Sequence, residues 1–216
     1  GAPSRSGRGV RRMTGAGTDI PLFPLGTVLF PGGLLPLKIF EQRYLEMAKS
    51  CLRASTPFGV CLIREGSEVG APATHEDLGC LARITHWDMQ QLGLLQLVAQ
   101  GGERFRVRAT RIRNDGLILA DIEILAAEAD TPIPEKFHAC RQLLERIVAE
   151  HGERLFAKPF QLDSSAWVAA RLAEVLPLPT AARQKLLELD DSRKRLEIIQ
   201  RLLVESAASP DRSGQS

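Results

Sequence analysis

The sequence lacks the motifs by which many enzymes are recognised. It contains no phosphate-binding loop of the form G-x-x-x-x-G-K-[ST], and neither G-x-G-x-x-G, H-E-x-x-H nor G-x-S-x-G occurs. Its four cysteines, Cys51, Cys61, Cys80 and Cys140, form no C-x-x-C pair and have no histidine at zinc-finger spacing. We therefore predict no catalytic residue, no metal ligand and no cofactor, and we interpret the cysteines as buried, reduced thiols.

The charge is low and nearly balanced. The formal net charge is +2, and residues 1–19 contribute four arginines against one aspartate. Residues 20–205 carry 23 basic and 24 acidic side chains. This balance gives no support to a nucleic-acid-binding protein, for which a basic surface is the usual mark.

One uncharged run has the length of a membrane span but not its composition. It covers the 18 residues from Ile20 to Leu37 and contains four prolines and three glycines. Because each interior proline costs a helix about 3 kcal/mol, two short strands joined by a turn are favoured instead. We expect no membrane segment and no secretion signal, and place the protein in the cytoplasm.

The period of the apolar residues divides the chain near Pro132 and Pro134. Residues 1–19 and 206–216 are poor in apolar residues and are predicted to be disordered tails. Residues 20–130 alternate in the manner of strands, apart from one helix over Glu41–Leu52. Residues 131–205 change to helical spacing and predict a helical bundle, with Thr180 and Asp191 as N-caps. The predicted strands are Leu34–Phe40, Phe58–Ile63, Leu78–Trp87, Leu94–Ala99, Arg104–Ile112 and Leu117–Leu125.

Asp115-Gly116 indicates a tight hairpin. A two-residue type I′ turn there would place Ala109 opposite Ile122 and Val107 opposite Ile124, so that apolar residues face each other. An odd-length loop would instead set Ala109 against Asp121. We therefore predict the two-residue turn.

Three arginines alternate along one strand, at Arg104, Arg106 and Arg108. This face resembles a phosphate-binding patch, but Asp121 and Glu123 on the neighbouring strand are placed to neutralise it. We interpret it as a solvated, ion-paired sheet face.

Several blocks in order resemble the amino-terminal substrate-recognition domain of Lon proteases. They read LFPLGTVLFPG at 22–32, LPLKIFEQRY at 35–44, FGV at 58–60, LGCLARI at 78–84 and GERFRV at 102–107. The helical segments 167–177, 185–188 and 195–196 continue the likeness, which covers about residues 20–205. The resemblance implies an α+β fold in which a PUA-like β pseudo-barrel with one short helix precedes a helical bundle.

The resemblance also implies recognition of unfolded or extended protein segments. Neither the ATPase phosphate loop nor the Ser-Lys dyad of Lon can be placed on this sequence, so we expect a stand-alone, non-enzymatic module, with a protease or chaperone as a further candidate partner. Its oligomeric state is left open. Candidate peptide contacts are Leu29, Phe30 and Pro31. Residues expected to match the family motif or to have structural roles are Phe40, Glu41, Arg43, Tyr44, Arg104, Phe105 and Trp167.

Two other functions compete with this one. PUA-like folds also bind RNA, and the arginine strand would supply charge for it. An enzyme with an unrecognised site, around Arg83, His86 or Arg104, is the third alternative and would require a deep pocket of convergent polar groups.

Overall fold

A computed structural model describes residues 15–209 of the protein and has the predicted α+β architecture. Seven strands come first and five α-helices follow or interrupt them. The strands are β1 (Gly15–Leu25), β2 (Leu34–Ile39), β3 (Phe58–Glu65), β4 (Thr74–His75), β5 (Leu78–Gln91), β6 (Leu94–Ile112) and β7 (Ile118–Ile124). The helices are α1 (Gln42–Ala54), α2 (His138–His151), α3 (Ser165–Val175), α4 (Thr180–Glu188) and α5 (Ser192–Ala208), with 3-10 turns at Glu135–Phe137 and Gly152–Arg154.

Five strands close into a barrel. Neighbours in the order β1-β7-β6-β5-β3 pair antiparallel, and β3 closes the ring by pairing parallel with β1. Strand β2 lies outside this ring and pairs with residues 95–100 of β6. The barrel therefore continues into a three-stranded extension made by β2, β6 and β5.

Strand β6 runs through the point where the sequence predicted a break. Gly101 allows this, because a Cβ there would lie 2.1 Å from the carbonyl oxygen of Phe30. The loop after Phe30 is bonded to the strand instead: Gly32 donates to Gly101 O, and Gly101 donates to Gly33 O, both at 2.8 Å. A glycine in β6 thus marks a close backbone approach rather than a strand end.

The predicted hairpin register is wrong. Ile112 pairs with Ile118, so the loop has five residues, and Gly116 adopts φ +89° while donating to Arg113 O. Ala109 consequently faces Asp121. A bulge at Arg108 then shifts the register by one residue, so that Val107 pairs with Ile122 and the apolar faces meet again.

The apolar core has separate barrel and helical parts. Barrel residues such as Phe58, Leu97 and Phe105 fill the β side, and Leu144, Leu172 and Ile199 belong to the helical cluster. The last strand, β7, ends before Pro132, and α2 to α5 follow it.

The helix starts match the sequence prediction only in part. Asp191 caps α5 by accepting from the backbone N–H of Arg193, as predicted. Thr180 is instead the first residue of α4, and Pro179 occupies its N-cap position. The ring of Pro179 fixes its φ, which is −58° at the N-cap position, and no side chain caps this helix.

Parts of both segments predicted to be disordered are ordered. Residues 15–19 form part of β1, because Gly15 and Gly17 pair with Ile124 and Ile122 of β7. Residues 206–208 continue α5, where the Ser206 hydroxyl donates to Leu202 O. The remaining tail residues, 1–14 and 210–216, lie outside the described residues. Within residues 15–209, every helix is too short or too polar to cross a bilayer.

Candidate functional site

Four exposed apolar side chains lie on the sheet extension and on the loop between β3 and β4. Phe40 follows β2 and is 60% exposed, Trp87 on β5 is 58% exposed, and Leu92 in the β5–β6 turn is 95% exposed; Val69 faces the same groove as Phe40. The register places Phe40 beside the β5–β6 turn that carries Leu92, since Ile39 pairs with Leu95. We call Phe40, Val69, Trp87 and Leu92 the apolar rim.

Phe40 and Val69 border a shallow groove of about 40 Å³. Its aromatic base is the stacked pair Phe23–Tyr44, whose ring centroids are 4.0 Å apart. Burial raises the pKa of the Tyr44 phenol, and the nearby Arg43 cation opposes that shift. The groove is thus lined by a neutral aromatic pair.

Arg43 holds the loop that carries Val69. Its guanidinium donates to Gly70 O at 2.7 Å and to Gly116 O at 3.1 Å, and it pairs with Glu41 at 3.2 Å. Glu68, on the other side of Val69, accepts from the backbone N–H of Gly26 at 2.8 Å. The groove wall is therefore fixed at two points.

Charged residues flank the groove. Lys38 and Glu68 line it together with Glu41, so the apolar surface is edged by both signs of charge. Such an arrangement favours an apolar ligand segment bordered by polar residues.

The predicted peptide contacts Leu29 and Phe30 are buried. Leu29 packs into the barrel cluster and Phe30 into the helical cluster, and only Pro31 is exposed. Adjacent side chains thus anchor the loop to both parts of the core. They cannot face a ligand in this conformation, which corrects the expectation drawn from the sequence.

The exposed Pro31 is bound through its backbone. The buried Arg171 of α3 donates to Pro31 O at 2.7 Å and to Glu174 Oε1 at 2.6 Å. Burial raises the pKa of Glu174 to about 7, although Arg171 and Arg183 oppose the shift. Sequence reasoning missed this link; its one local indication is an Arg–Glu pair at i,i+3 within an otherwise apolar helix.

Arg104 is buried. Its alternation with Arg106 and Arg108 had predicted a position on a solvated sheet face, and for Arg104 this prediction is wrong. Its guanidinium donates to Leu187 O and Leu189 O and pairs with Asp190 at 3.1 Å. These acceptors lie in the last turn of α4 and in its connection to α5. Arg104 therefore joins the barrel to the helical part.

The exposed arginines beyond it are largely neutralised. Arg108 pairs with Glu123, Arg111 with Asp19 at 3.0 Å, and Arg113 with Asp115 at 2.6 Å. The bond from Arg113 lowers the pKa of Asp115 to about 2. This pairing weakens the case for a phosphate-binding face.

Two of the four aromatic residues predicted to match the motif or to be structural, Phe105 and Trp167, lie in different cores. Phe105 is fully buried in the barrel, whereas Trp167 packs at the edge of the helical cluster beside Phe156 and Phe160. Arg171 also lies 5.8 Å from the Trp167 ring centroid. Both residues contribute packing rather than exposed binding surface.

The alternative enzyme residues have separate partners. Arg83 donates to Ser55 O beside the end of α1, His86 lies 3.1 Å from the Thr85 hydroxyl, and Arg104 faces the helices. Residues 15–209 contain no group of three or more His, Cys, Asp or Glu side chains arranged to hold a metal ion.

The chain resembles known proteins over most of its length. A family model described as the ATP-dependent protease La (LON) substrate-binding domain matches residues 19–205. A Lon protease from Methylocella silvestris is 25% identical over 94% of this chain and 28% of its own length. Lon protease 2 from Myxococcus xanthus is 27% identical over 85% of this chain and 23% of its own length. The chain thus spans about a quarter of these relatives.

Solved structures agree with the fold. The Lon N-terminal domain protein from Xanthomonas campestris has a TM-score of 0.71 and 36% sequence identity, covering 87% of this chain and 98% of that one. The N-terminal domain of a Mycobacterium avium complex Lon protease has a TM-score of 0.57 at 15% identity, covering 84% of this chain and 95% of that one. The latter likeness concerns the fold alone.

Proposed function

This chain belongs to the family of LON substrate-binding domains, and on that premise we propose that it is a non-catalytic module that binds unfolded or extended segments of other proteins. The observation that supports the proposal most strongly is the apolar rim, whose residues are exposed on the sheet extension and on the β3–β4 loop that Arg43 and Glu68 hold in place. A protease or a chaperone that receives the bound protein is the further partner consistent with this role.

The energy available at the rim suits moderate affinity. Covering the exposed 60% of Phe40 removes roughly 100 Å² of apolar surface from water, which corresponds to at most about 2.5 kcal/mol. A few such contacts, less the cost of ordering the ligand, correspond to dissociation constants of roughly tens of micromolar. Weak, apolar contact with many sequences is what a binder of unfolded chains requires.

Titration with a reduced and alkylated, permanently unfolded protein tests the proposal. Saturable binding is expected for this probe, whereas the same protein in its native form should not bind. The variant Phe40→Ser should weaken binding about tenfold. Ile112→Ser is the matched control, because Ile112 is also 62% exposed but lies at the other end of β6. Absence of saturable binding, or equal loss in both variants, would contradict the proposal.

Salt separates this function from RNA binding. Apolar contact should change little between 50 and 200 mM salt, whereas binding through several phosphates should weaken by orders of magnitude. Because Arg108, Arg111 and Arg113 already have acidic partners, we expect little binding to a single-stranded RNA even at low salt.

A further inference from the structure

One long stretch of sheet edge is paired on a single side. Strand β5 pairs with β3 only through residues 80–82, and from Arg83 to Gln91 its described strand partner is β6. Arg83 is occupied by Ser55 at the end of α1. The stretch from Thr85 to Gln91 therefore presents a strand edge that is regular from His86 to Asp88 and is bounded by a register shift on each side of these residues.

The opposite edge of the same extension is protected. Strand β2 contains Pro36 and Lys38, the residue types that block the addition of another strand to an edge. The open stretch of β5 contains neither proline nor lysine. By residue type, β5 is therefore the less protected of the two edges, although bulges bound its regular segment His86–Asp88 at both ends.

The side chains along this edge differ on its two faces. Trp87 pairs with Leu97, which also pairs with Leu37, so these three residues form an apolar row across the extension. His86 and Asp88, on either side of Trp87, are exposed and belong to the other face. In a strand added here, every second side chain would lie beside the apolar face that carries Trp87, and the side chains between them would lie beside the polar face that carries His86 and Asp88.

The available area indicates a short segment rather than a second folded copy. Trp87, 58% exposed, offers at most about 150 Å², given that a whole aromatic side chain buries up to ~250 Å². A stable interface between folded proteins needs about 800 Å² from each partner. The backbone groups of the edge, by contrast, are satisfied in full by an extended segment of a few residues.

We propose that the free edge of β5, from Thr85 to Gln91, binds an extended segment of a client protein as an added β-strand, with an apolar side chain of that segment on Trp87. This inference rests on the proposed function and specifies the conformation of the bound segment. Main-chain hydrogen bonds make the mode tolerant of sequence, and the two faces require alternation of apolar and polar residues.

The test uses a fluorescent eight-residue peptide of alternating leucine and threonine and two N-methylated versions of it. One version is methylated at every leucine and the other at every threonine. In an added strand, alternate N–H groups point to the edge, so one version should bind at least tenfold more weakly while the other stays within about threefold of the parent. Trp87→Ser should weaken binding of the parent peptide, and Ile112→Ser should leave it unchanged.

The outcomes separate this inference from the function on which it rests. Equal affinity of the two methylated peptides, or binding unaffected by Trp87→Ser, would overturn strand addition. Binding of the unfolded protein without binding of the alternating peptide would overturn it as well and leave the proposed function standing. If neither probe binds, both proposals fail.

Discussion

Replacing Arg171 by methionine should destabilise the protein by an amount that depends on pH. Arg171 is 1% exposed and donates to Pro31 O and to Glu174. Methionine keeps much of the apolar length but removes both bonds and the charge. The carbonyl of Pro31 and the carboxyl of Glu174 then lose their shared donor.

The magnitude follows from the protonation of Glu174, whose pKa is raised to about 7 by burial. At pH 5 the carboxyl is mainly protonated in both proteins, so the variant loses chiefly the bond to Pro31, about 1.5–3 kcal/mol. At pH 8 the wild-type carboxylate is paired, while in the variant it has lost the Arg171 cation or must take up a proton. The loss should then reach about 3–5 kcal/mol.

Urea unfolding of both proteins at pH 5 and pH 8 measures this difference. The control Arg141→Met removes a guanidinium that is 32% exposed and pairs with Glu145 and Asp163, and should cost about 1 kcal/mol or less at either pH. A loss below 1 kcal/mol for Arg171→Met, or an equal loss at both pH values, would mean that Arg171 does not stabilise the Glu174 carboxylate. The sign is fixed, because removing a cation raises the carboxyl pKa further and penalises the higher pH.

Three further predictions concern packing, helix capping and the accessibility of a thiol. Gly59→Ala should lower the free energy of unfolding in urea by about 1–3 kcal/mol, because its Cβ would lie 2.6 Å from Leu22 Cδ2 and 2.8 Å from Phe105 Cζ. Gly102→Ala is the control, since its Cβ would lie 3.6 Å from the nearest atom. Equal costs for the two variants would contradict this prediction. Asp191→Ala should cost about 1 kcal/mol through loss of the cap on α5, seen as a lower melting temperature, and an unchanged temperature would exclude a capping role. The four thiols are free and buried, and burial raises the pKa of Cys61 to about 12. A disulfide reagent at pH 8 should therefore label Cys61 only at the rate of unfolding. Rapid labelling of the native protein would show instead that this thiol is accessible.

Local patterns in the sequence were sufficient to separate strand segments from helical ones, whereas the barrel was implied by the family resemblance. The prolines between Ile20 and Leu37 excluded a helix, and the apolar spacing of residues 137–148 and 167–176 located α2 and α3. The hairpin register failed because alternation alone does not show a bulge. At Arg108 one extra residue reverses the parity that the turn sets.

The site depended on contacts between distant parts of the chain. Leu29 and Phe30 are apolar residues beside a proline, and their burial follows from two cores that meet at their loop. Arg104 and Arg171 bond to carbonyls 83 and 140 residues away, which no local pattern indicates. Phe40 was expected to be structural, and its exposure follows from its position just beyond the last residue of β2.

Hydrogen exchange of the protein with and without the unfolded probe protein shows where that probe binds. We expect slower exchange of backbone amides in residues 38–41, 66–70 and 85–93, with no change around Ile112. Slower exchange confined to the helices, or to the arginines at the far end of β6, would contradict this expectation.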